Sequence, residues 1–432
     1  MIKFKNNKLF KNIIILLVAG GLSKILGMLS KVIYTRIAGI NVVAIYTLIT
    51  PTLMLIITLT QFSFPISISK ISSMDKYDNK NLLFNAYTLG VIVDIILIIF
   101  ILLISPLIAS ALNNSELKIP INFICLIVIP TTISSIQRGF LHGKEDMFMP
   151  SITNIIEEII KIILIVVILP YFILKENIYV VSALILFNII TEFFTILILN
   201  NRIKKVYIKK EKNKIDKKII KEILKINIPT TLVRLISSIG FFLEPIILTK
   251  TLISSGLSYK FITVEYGIIN SYIIPLLSMP TFFSVAIASA LLPNITKLYY
   301  NKKYKLFNKK LYILMMLSML IGFICLGIIL TFPKQILTLV YNINLGVNYL
   351  YLIGPFFIIL YMQPTLSVAM QAMDKTNDLL KISIISMIIK YTALYIMCKS
   401  NLGISSLLYS IIIGIIVTTS LMMIKILKRK EN

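Results

Sequence analysis

Two lysines stand inside an apolar segment near the start of the chain, at residues 20–31, GGLSKILGMLSK. At a rise of ~1.5 Å per residue from the first apolar residue after the Lys-rich start, Lys24 is expected near the middle of a ~30 Å hydrocarbon layer. A Lys or Arg there costs roughly 2.5 to 3.5 kcal/mol, so such residues usually face a bundle interior or a water-filled cavity. The lysines alternate with glycines at steps of four, three and four residues, which places all four on one helical face. These residues are Gly20, Lys24, Gly27 and Lys31. The pattern predicts a face that binds a negatively charged group.

The composition of the chain identifies the elements that must position these lysines. Apolar residues make up 57% of 432 positions and charged residues 14%, with a mean hydropathy of +0.91. A soluble domain of this size would expose too much apolar surface. Apolar runs of about 20 residues between short polar joints predict an all-α integral membrane protein of about twelve transmembrane helices. The expected spans are 12–38, 42–66, 82–110, 119–141, 150–173, 178–200, 224–249, 264–293, 309–331, 346–370, 378–398 and 403–427.

The distribution of basic residues predicts the orientation of these spans. With the N-terminus in the cytoplasm, 32 of the 44 Lys and Arg residues fall in cytoplasmic segments and six in outer joints. This bias predicts a multi-pass plasma membrane protein with both termini cytoplasmic. The net charge of +26 is therefore interpreted as a topology signal with some attraction for anionic membrane lipids, and nucleic-acid binding is not expected.

Landmarks in the first half of the chain recur in the second. Lys24 corresponds to Arg234 at an offset of 210, and Lys161 corresponds to Lys390 at an offset of 229. The run PISISK at 65–70 is echoed by PNITK at 293–297. We interpret these matches as a duplicated six-helix unit, which gives two lobes related by a pseudo-two-fold axis along the membrane normal around a central cavity. The expected domains are 1–205, a basic cytoplasmic linker at 206–221, and 222–432.

Several stretches resemble a known family. The resemblance rests on four stretches of the sequence. They are residues 24–27 (KILG) with Lys31, Arg36 and Gly39; the run PISISK at 65–70; SIQRGFLHG at 135–143 followed by Met149, Pro150 and Glu157; and QAMDKTN at 371–377. Together they resemble the stage V sporulation protein B group of polysaccharide flippases, in the multidrug, oligosaccharidyl-lipid and polysaccharide (MOP) exporter superfamily. The family more often has fourteen helices and arginine at the positions of Lys24 and Lys31. Lysine keeps the charge but lacks the bidentate fork that suits phosphate.

The resemblance implies export of a lipid-linked saccharide for peptidoglycan or polysaccharide synthesis, in sporulation or in cell-wall assembly. A pyrophosphate cannot cross hydrocarbon unpaired, and a cationic cavity would remove that obstacle. The candidate substrate-binding residues are Lys24, Lys31, Arg36, Arg234, Lys161 and Lys390. In the alternative interpretation these cations pair with acids in the spans, and Glu157 and Lys161 are spaced four apart in the order that favours such a pair.

A second reading is a multidrug or cation antiporter of the same superfamily. Such a protein needs carboxylates for its substrate and coupling cation, and Glu157, Glu158 and Glu244 are the candidates for a coupling-ion site or for ion pairs. The predicted first helix carries no acid, which disfavours this reading. A membrane enzyme such as a glycan polymerase is a third reading, disfavoured because the outer joints are short and nearly devoid of catalytic acids or histidines. We therefore expect a non-enzymatic monomer, with lipid-linked glycan and membrane lipids as partners and no cofactor or metal.

Overall fold

The computed structural model of the protein describes residues 7–207, 214–400 and 402–428, and its regular elements are all helices. The chain divides into two compact units, 1–242 and 243–432, with the boundary inside helix α9. The helices of the first unit are α1 (Asn7–Gln61), α2 (Phe64–Ser73), α3 (Asn79–Ala111), α4 (Lys118–Phe123), α5 (Cys125–Gly143), α6 (Phe148–Val167), α7 (Leu169–Ile173), α8 (Asn177–Tyr207) and most of α9 (Lys217–Ser254). Those of the second are α10 (Tyr259–Gly267), α11 (Ile274–Ser278), α12 (Thr281–Tyr300), α13 (Tyr304–Thr331), α14 (Pro333–Tyr341), α15 (Val347–Leu360), α16 (Gln363–Ala372), α17 (Thr376–Lys399) and α18 (Ser405–Leu427).

Ten helical runs among the described residues are long and apolar enough to cross a membrane. The first, Val18–Ser73, has 56 residues, which at ~1.5 Å per residue is more than twice the ~30 Å hydrocarbon thickness. It changes direction at Gly39, whose φ of 76° lies in the left-handed region that glycine tolerates best. The break matches the gap between the expected spans 12–38 and 42–66. The protein is therefore a multi-pass, all-helical membrane protein, and the count of twelve spans stays a prediction.

Prolines and left-handed residues divide several spans that the sequence predicts as single helices. The expected span 42–66 ends instead at Gln61, where Phe62 and Ser63 take φ values of 41° and 53°. Helix α2 then begins at Phe64, with Pro65 in its first turn, where a missing N–H costs nothing. The expected span 264–293 is divided into α10, a π-helical turn at Ile268–Ile273, α11 and α12. Pro275 lies at the start of α11, and Pro280 precedes α12.

The core of the first unit brings α2 against α5. A Cβ on Gly139 would lie 2.8 Å from the Cα of Pro65, so only glycine permits this approach of the two helices. Around the contact lies a fully buried cluster from α2, α3, α5, α8 and α9, which includes Phe64, Ile136, Phe140, Leu199 and Ile223. The packing places α5 beside α6 and α8, which carry the charged residues described below.

The second unit has its own core, and a glycine–tyrosine contact fixes one part of it. A Cβ on Gly322 of α13 would overlap the ring of Tyr361, which follows α15 and is fully buried. The Tyr361 hydroxyl donates a hydrogen bond to the backbone oxygen of Leu277, at 2.7 Å. Side chains of α12, α13, α16 and α18 complete the cluster, among them Phe307, Leu366, Met370 and Met422.

Candidate functional site

The predicted anion-binding face lies on the first half of α1. Lys24 is exposed, Lys31 is half-buried, and Arg36 is exposed close to the break at Gly39. Each of these three cations has an interaction within the protein. At ~1.5 Å per residue, Lys31 lies about 10 Å and Arg36 about 18 Å along the helix from Lys24. Lys24 and Lys31 therefore lie on one face of this segment, whereas Arg36 lies roughly 120° around the helix from Lys24.

An acid from a neighbouring helix lies against this face. The Glu158 carboxylate of α6 packs on Gly27, where an added Cβ would be 3.4 Å from Oε1. Gly27 is one turn from Lys24 and one turn from Lys31, so Glu158 approaches α1 between the two lysines. Its second oxygen, Oε2, is buried and has no hydrogen-bond partner among the described residues. Sequence spacing within α1 could not have revealed this acid, because it comes from another helix.

An arginine on α5 connects three helices beside this face. Arg138 donates one hydrogen bond to the Asn154 side-chain oxygen and forms an ion pair with Glu157, both on α6. Glu157 also accepts a hydrogen bond from the Thr195 hydroxyl of α8, at 2.5 Å. Arg138 lies in the last turns of α5 and is half-buried in the bundle.

The expected pair between Glu157 and Lys161 on α6 is not formed. Glu157 bonds to Arg138 and Thr195, whereas the Lys161 ammonium donates to the Asn188 side-chain oxygen of α8, at 3.0 Å. A pair spaced four apart contributes only about 0.5 kcal/mol on an isolated helix. A charge-assisted hydrogen bond to a neighbouring helix inside a bundle is stronger, and it determines both side-chain directions here.

Two further carboxylates of the first unit are buried in the same bundle. Asp94 of α3 is 1% exposed, and its Oδ1 accepts a hydrogen bond from the Thr132 hydroxyl at 2.6 Å. Its Oδ2, and the Oε2 of Glu192 on α8, are buried without a hydrogen-bond partner among the described residues. The first unit thus holds several acids away from lipid, close to the helices that carry its cations.

The arginine that the sequence pairs with Lys24 across the repeat also lies in the first unit. Arg234 of α9 is half-buried and donates a hydrogen bond to the Gln61 side-chain oxygen at the end of α1. Nearby, the hydroxyls of Thr58 and Ser238 hydrogen-bond at 2.9 Å. Among the described residues Gln61 is the one hydrogen-bond partner of the Arg234 guanidinium, and it is neutral. The guanidinium is therefore not paired with an acid.

The second unit pairs the other two predicted site residues with each other. The Lys390 ammonium of α17 donates to Glu244 Oε2 on α9, at 2.5 Å. Glu244 is 2% exposed, so the carboxylate lies in the interior and is neutralised by this lysine. The stem of Lys390 passes Gly414 of α18, where an added Cβ would lie 3.4 Å from the lysine Cδ. The sequence named both residues but did not predict that they meet.

The structure thus separates the predicted site residues into four groups. Lys24, Lys31 and Arg36 share α1, with Glu158 between the two lysines; Glu157 and Lys161 are held by neighbouring helices; Arg234 bonds to Gln61; Glu244 and Lys390 form an ion pair. Sequence reasoning did not name Arg138 as a site residue, nor Asn154 and Thr195, which join it and Glu157 in one hydrogen-bonded group. A signal for it existed, since the family-like stretch 135–143 and Glu157 belong to one motif.

Comparisons with known proteins agree with this architecture. A profile of the family described as "Polysaccharide biosynthesis protein" matches residues 9–299, and one described as "MatE" matches residues 270–396. Stage V sporulation protein B of Bacillus subtilis (strain 168) is 26% identical over 95% of this chain and 82% of its own. Sporulation protein YkvU of the same organism is 22% identical over 96% of this chain and 94% of its own.

Solved transporter structures share the fold across the whole chain. The inward-facing conformation of a multidrug resistance MATE family transporter of the MOP superfamily aligns with a TM-score of 0.71 at 16% identity. The alignment covers 95% of this chain and 96% of the transporter. The profile match over residues 9–299 shows that the chain belongs to the family described as "Polysaccharide biosynthesis protein".

Proposed function

We propose that the protein moves a polyprenyl-pyrophosphate-linked saccharide across the plasma membrane by alternating access, and that the cations of α1 hold the pyrophosphate. The observation that carries this proposal is the exposure of Lys24 within the helical run Val18–Ser73, which is apolar enough to cross a membrane, together with the mid-membrane depth that the sequence predicts for it. A lysine exposed to lipid at that depth would be costly, so its surroundings must be polar during the transport cycle. Family membership supports a lipid-linked saccharide as the cargo.

The proposed substrate site consists of Lys24, Lys31, Arg36 and Arg234. Lys24 and Lys31 lie about 10 Å apart on one face of α1, so a pyrophosphate could pass from one to the other, and Arg36 adds positive charge on another side of the same helix. Arg234 adds a charge whose partner, Gln61, is a neutral amide and not an acid. We leave Lys390 out of the site because Glu244 neutralises it, whereas Lys161, which like Arg234 bonds to a neutral amide, remains a further candidate.

The antiporter alternative loses support at Glu244. A carboxylate that binds a coupling cation must be able to give up its resident counter-charge, and Glu244 is buried against Lys390. Removing one member of such a buried pair costs about 3 to 5 kcal/mol, which favours a structural role for both residues.

The proposal is tested by reconstituting variants in vesicles that contain a fluorescent polyprenyl-pyrophosphate saccharide. Dithionite added outside then reports how fast inner-leaflet substrate reaches the outer leaflet. We expect Lys24→Ala to slow flipping by about ten-fold or more, since a hydrogen bond to a charged group contributes about 1.5 to 3 kcal/mol. Lys24→Arg should keep activity because the charge and reach are retained.

The matched control is Lys118→Ala, which removes an exposed lysine at the start of α4 and should leave flipping unchanged. Lys24→Glu should be as inactive as the alanine variant. Full flipping by Lys24→Ala in a correctly folded protein would overturn the assignment of Lys24 to the substrate site.

A further inference from the structure

A groove on the second unit has an apolar wall and a polar end. It has a volume of about 360 Å³ and is open on one side. Its wall comes from three helices: Asn308, Tyr312 and Met315 of α13, Leu366 of α16, and Met423 and Leu427 of α18. No acid is among its lining residues in the described part of the chain, and the transport site proposed above lies entirely in the other unit.

The groove runs along the first turns of α13, from a polar end to an apolar one. Asn308 is its polar lining residue, and Met315 lies seven residues further along the helix, about 10 Å deeper. Beyond Asn308 the wall is apolar apart from the Tyr312 hydroxyl. A molecule that fits this gradient has a polar head at the Asn308 end and a hydrocarbon chain beyond it.

Positive charge is concentrated at the polar end. Lys305 and Lys309 each precede a lining residue, Asn308 and Tyr312, by three positions, so they lie about one turn away on the same side of α13. Lys428 follows the lining residue Leu427 at the end of α18. All three lysines are exposed.

Another lysine at this end is already neutralised. Lys425 forms an ion pair with Asp378 at 3.1 Å, so it contributes little net charge. The three exposed lysines described above therefore set the electrostatics of the groove end, and they favour an anionic head over a zwitterionic one.

We propose that this groove binds an anionic phospholipid, with one acyl chain along the wall and the phosphate at Lys305, Lys309 and Lys428. Ordinary lipid contact would not select a head group. The contrast is a second groove of about 160 Å³ on the first unit, which has only apolar and threonine lining residues and no lysine among them. The second groove should accept acyl chains without regard to charge.

The absence of tryptophan from the chain permits a direct test. Tyr312→Trp introduces one indole into the groove wall, at a side chain that is 63% exposed and tolerates the change. The variant is reconstituted in equal mixtures of phosphatidylglycerol and phosphatidylcholine, with bromine on the acyl chains of one lipid or the other. Brominated phosphatidylglycerol should quench more strongly, with a relative binding constant of at least about five, since a single lysine already contributes about 1 kcal/mol.

Two controls separate a site from diffuse enrichment near lysines. Ile313→Trp puts the indole at the same depth and near the same lysine row, but outside the groove, so its preference should be much smaller. Phe100→Trp reports on the lysine-free groove, where both lipids should quench equally. The triple variant K305Q/K309Q/K428Q in the Tyr312→Trp background should lose the preference.

Equal quenching of Tyr312→Trp by the two lipids would overturn the proposal, as would a preference of the same size at Ile313→Trp. A preference that survives the triple lysine variant would also overturn it. These vesicles contain no polyprenyl lipid, so the outcome does not depend on the proposed transport function.

Discussion

Glu158 of α6 lies against Gly27 of α1, so this contact between the two helices sets a carboxylate between two lysines. Gly27 permits this contact, because a side chain longer than alanine at that position would occupy the space of the carboxylate. The arrangement links the packing of α1 to the charge on its face.

Larger side chains at position 27 should test how closely α1 packs against the Glu158 carboxylate. Gly27→Ala places a Cβ 3.4 Å from Glu158 Oε1, an ordinary contact, and should leave the melting temperature nearly unchanged. Gly27→Leu should displace the carboxylate and destabilise the protein by about 1 to 3 kcal/mol, as overpacking does. Thermal unfolding in detergent measures both. Gly327→Leu is the control, since nothing lies within 4 Å of a Cβ there, and equal losses at both sites would contradict the contact.

The Arg138–Glu157 ion pair should show strong non-additivity. Each side chain is 21% exposed, so removing either one alone should cost about 1 to 3 kcal/mol, less than for a fully buried pair. The double variant R138M/E157L should be no less stable than the worse single variant, because no unpaired charge remains. Thermal unfolding of the parent protein, the two single variants and the double variant gives the coupling free energy between the two side chains. Additive losses would mean that the two residues act independently.

Variants of the Glu244–Lys390 pair distinguish a structural role for the Glu244 carboxylate from a role in binding a coupling ion. Glu244→Gln should lower the melting temperature because it leaves Lys390 without its counter-charge. Adding Lys390→Gln should restore both stability and saccharide flipping. An antiporter that uses Glu244 predicts instead that transport is lost in every variant without the carboxylate, whatever stands at position 390.

Cysteine labelling checks the predicted orientation. Lys302 lies in the turn between α12 and α13, and Ser255 follows α9, so the two positions are expected on opposite sides of the membrane. In intact cells, Lys302→Cys should resist an impermeant thiol reagent and Ser255→Cys should react. The parent protein is the control for its three native cysteines, of which Cys125 and Cys398 are buried. Reaction of Lys302→Cys from outside would reverse the predicted orientation.

The helical membrane fold was predictable because hydropathy is summed over long windows. Local errors in single residues, such as the helix break before Pro65, do not change such a sum. The division of the span 264–293 into four elements was not predictable, since a π-helical turn depends on its surroundings and has no simple sequence signal.

The sequence identified the charged residues but not the partner of each one. The sequence named Lys161, Glu157, Glu244 and Lys390, but spacing along one helix favoured a partner on the same helix. The observed partners lie on other helices: Arg138 of α5 pairs with Glu157, and Asn188 of α8 accepts a hydrogen bond from Lys161. These contacts form only when the helices pack together. Side-chain pairing inside a membrane is thus a property of the assembled bundle.

The ion pair in the second unit has a consequence for biosynthesis. Glu244 and Lys390 are 146 residues apart along the chain. At a synthesis rate of about 5 to 20 residues per second, the carboxylate emerges from the ribosome roughly 7 to 30 seconds before its lysine. During that interval α9 must carry an acid with no Lys390 to neutralise it, so its stable insertion depends on protonation, on nearby water or on the translocation machinery. Truncated chains that end before residue 390 should therefore insert α9 poorly, and the synthesis of α17 completes its anchoring.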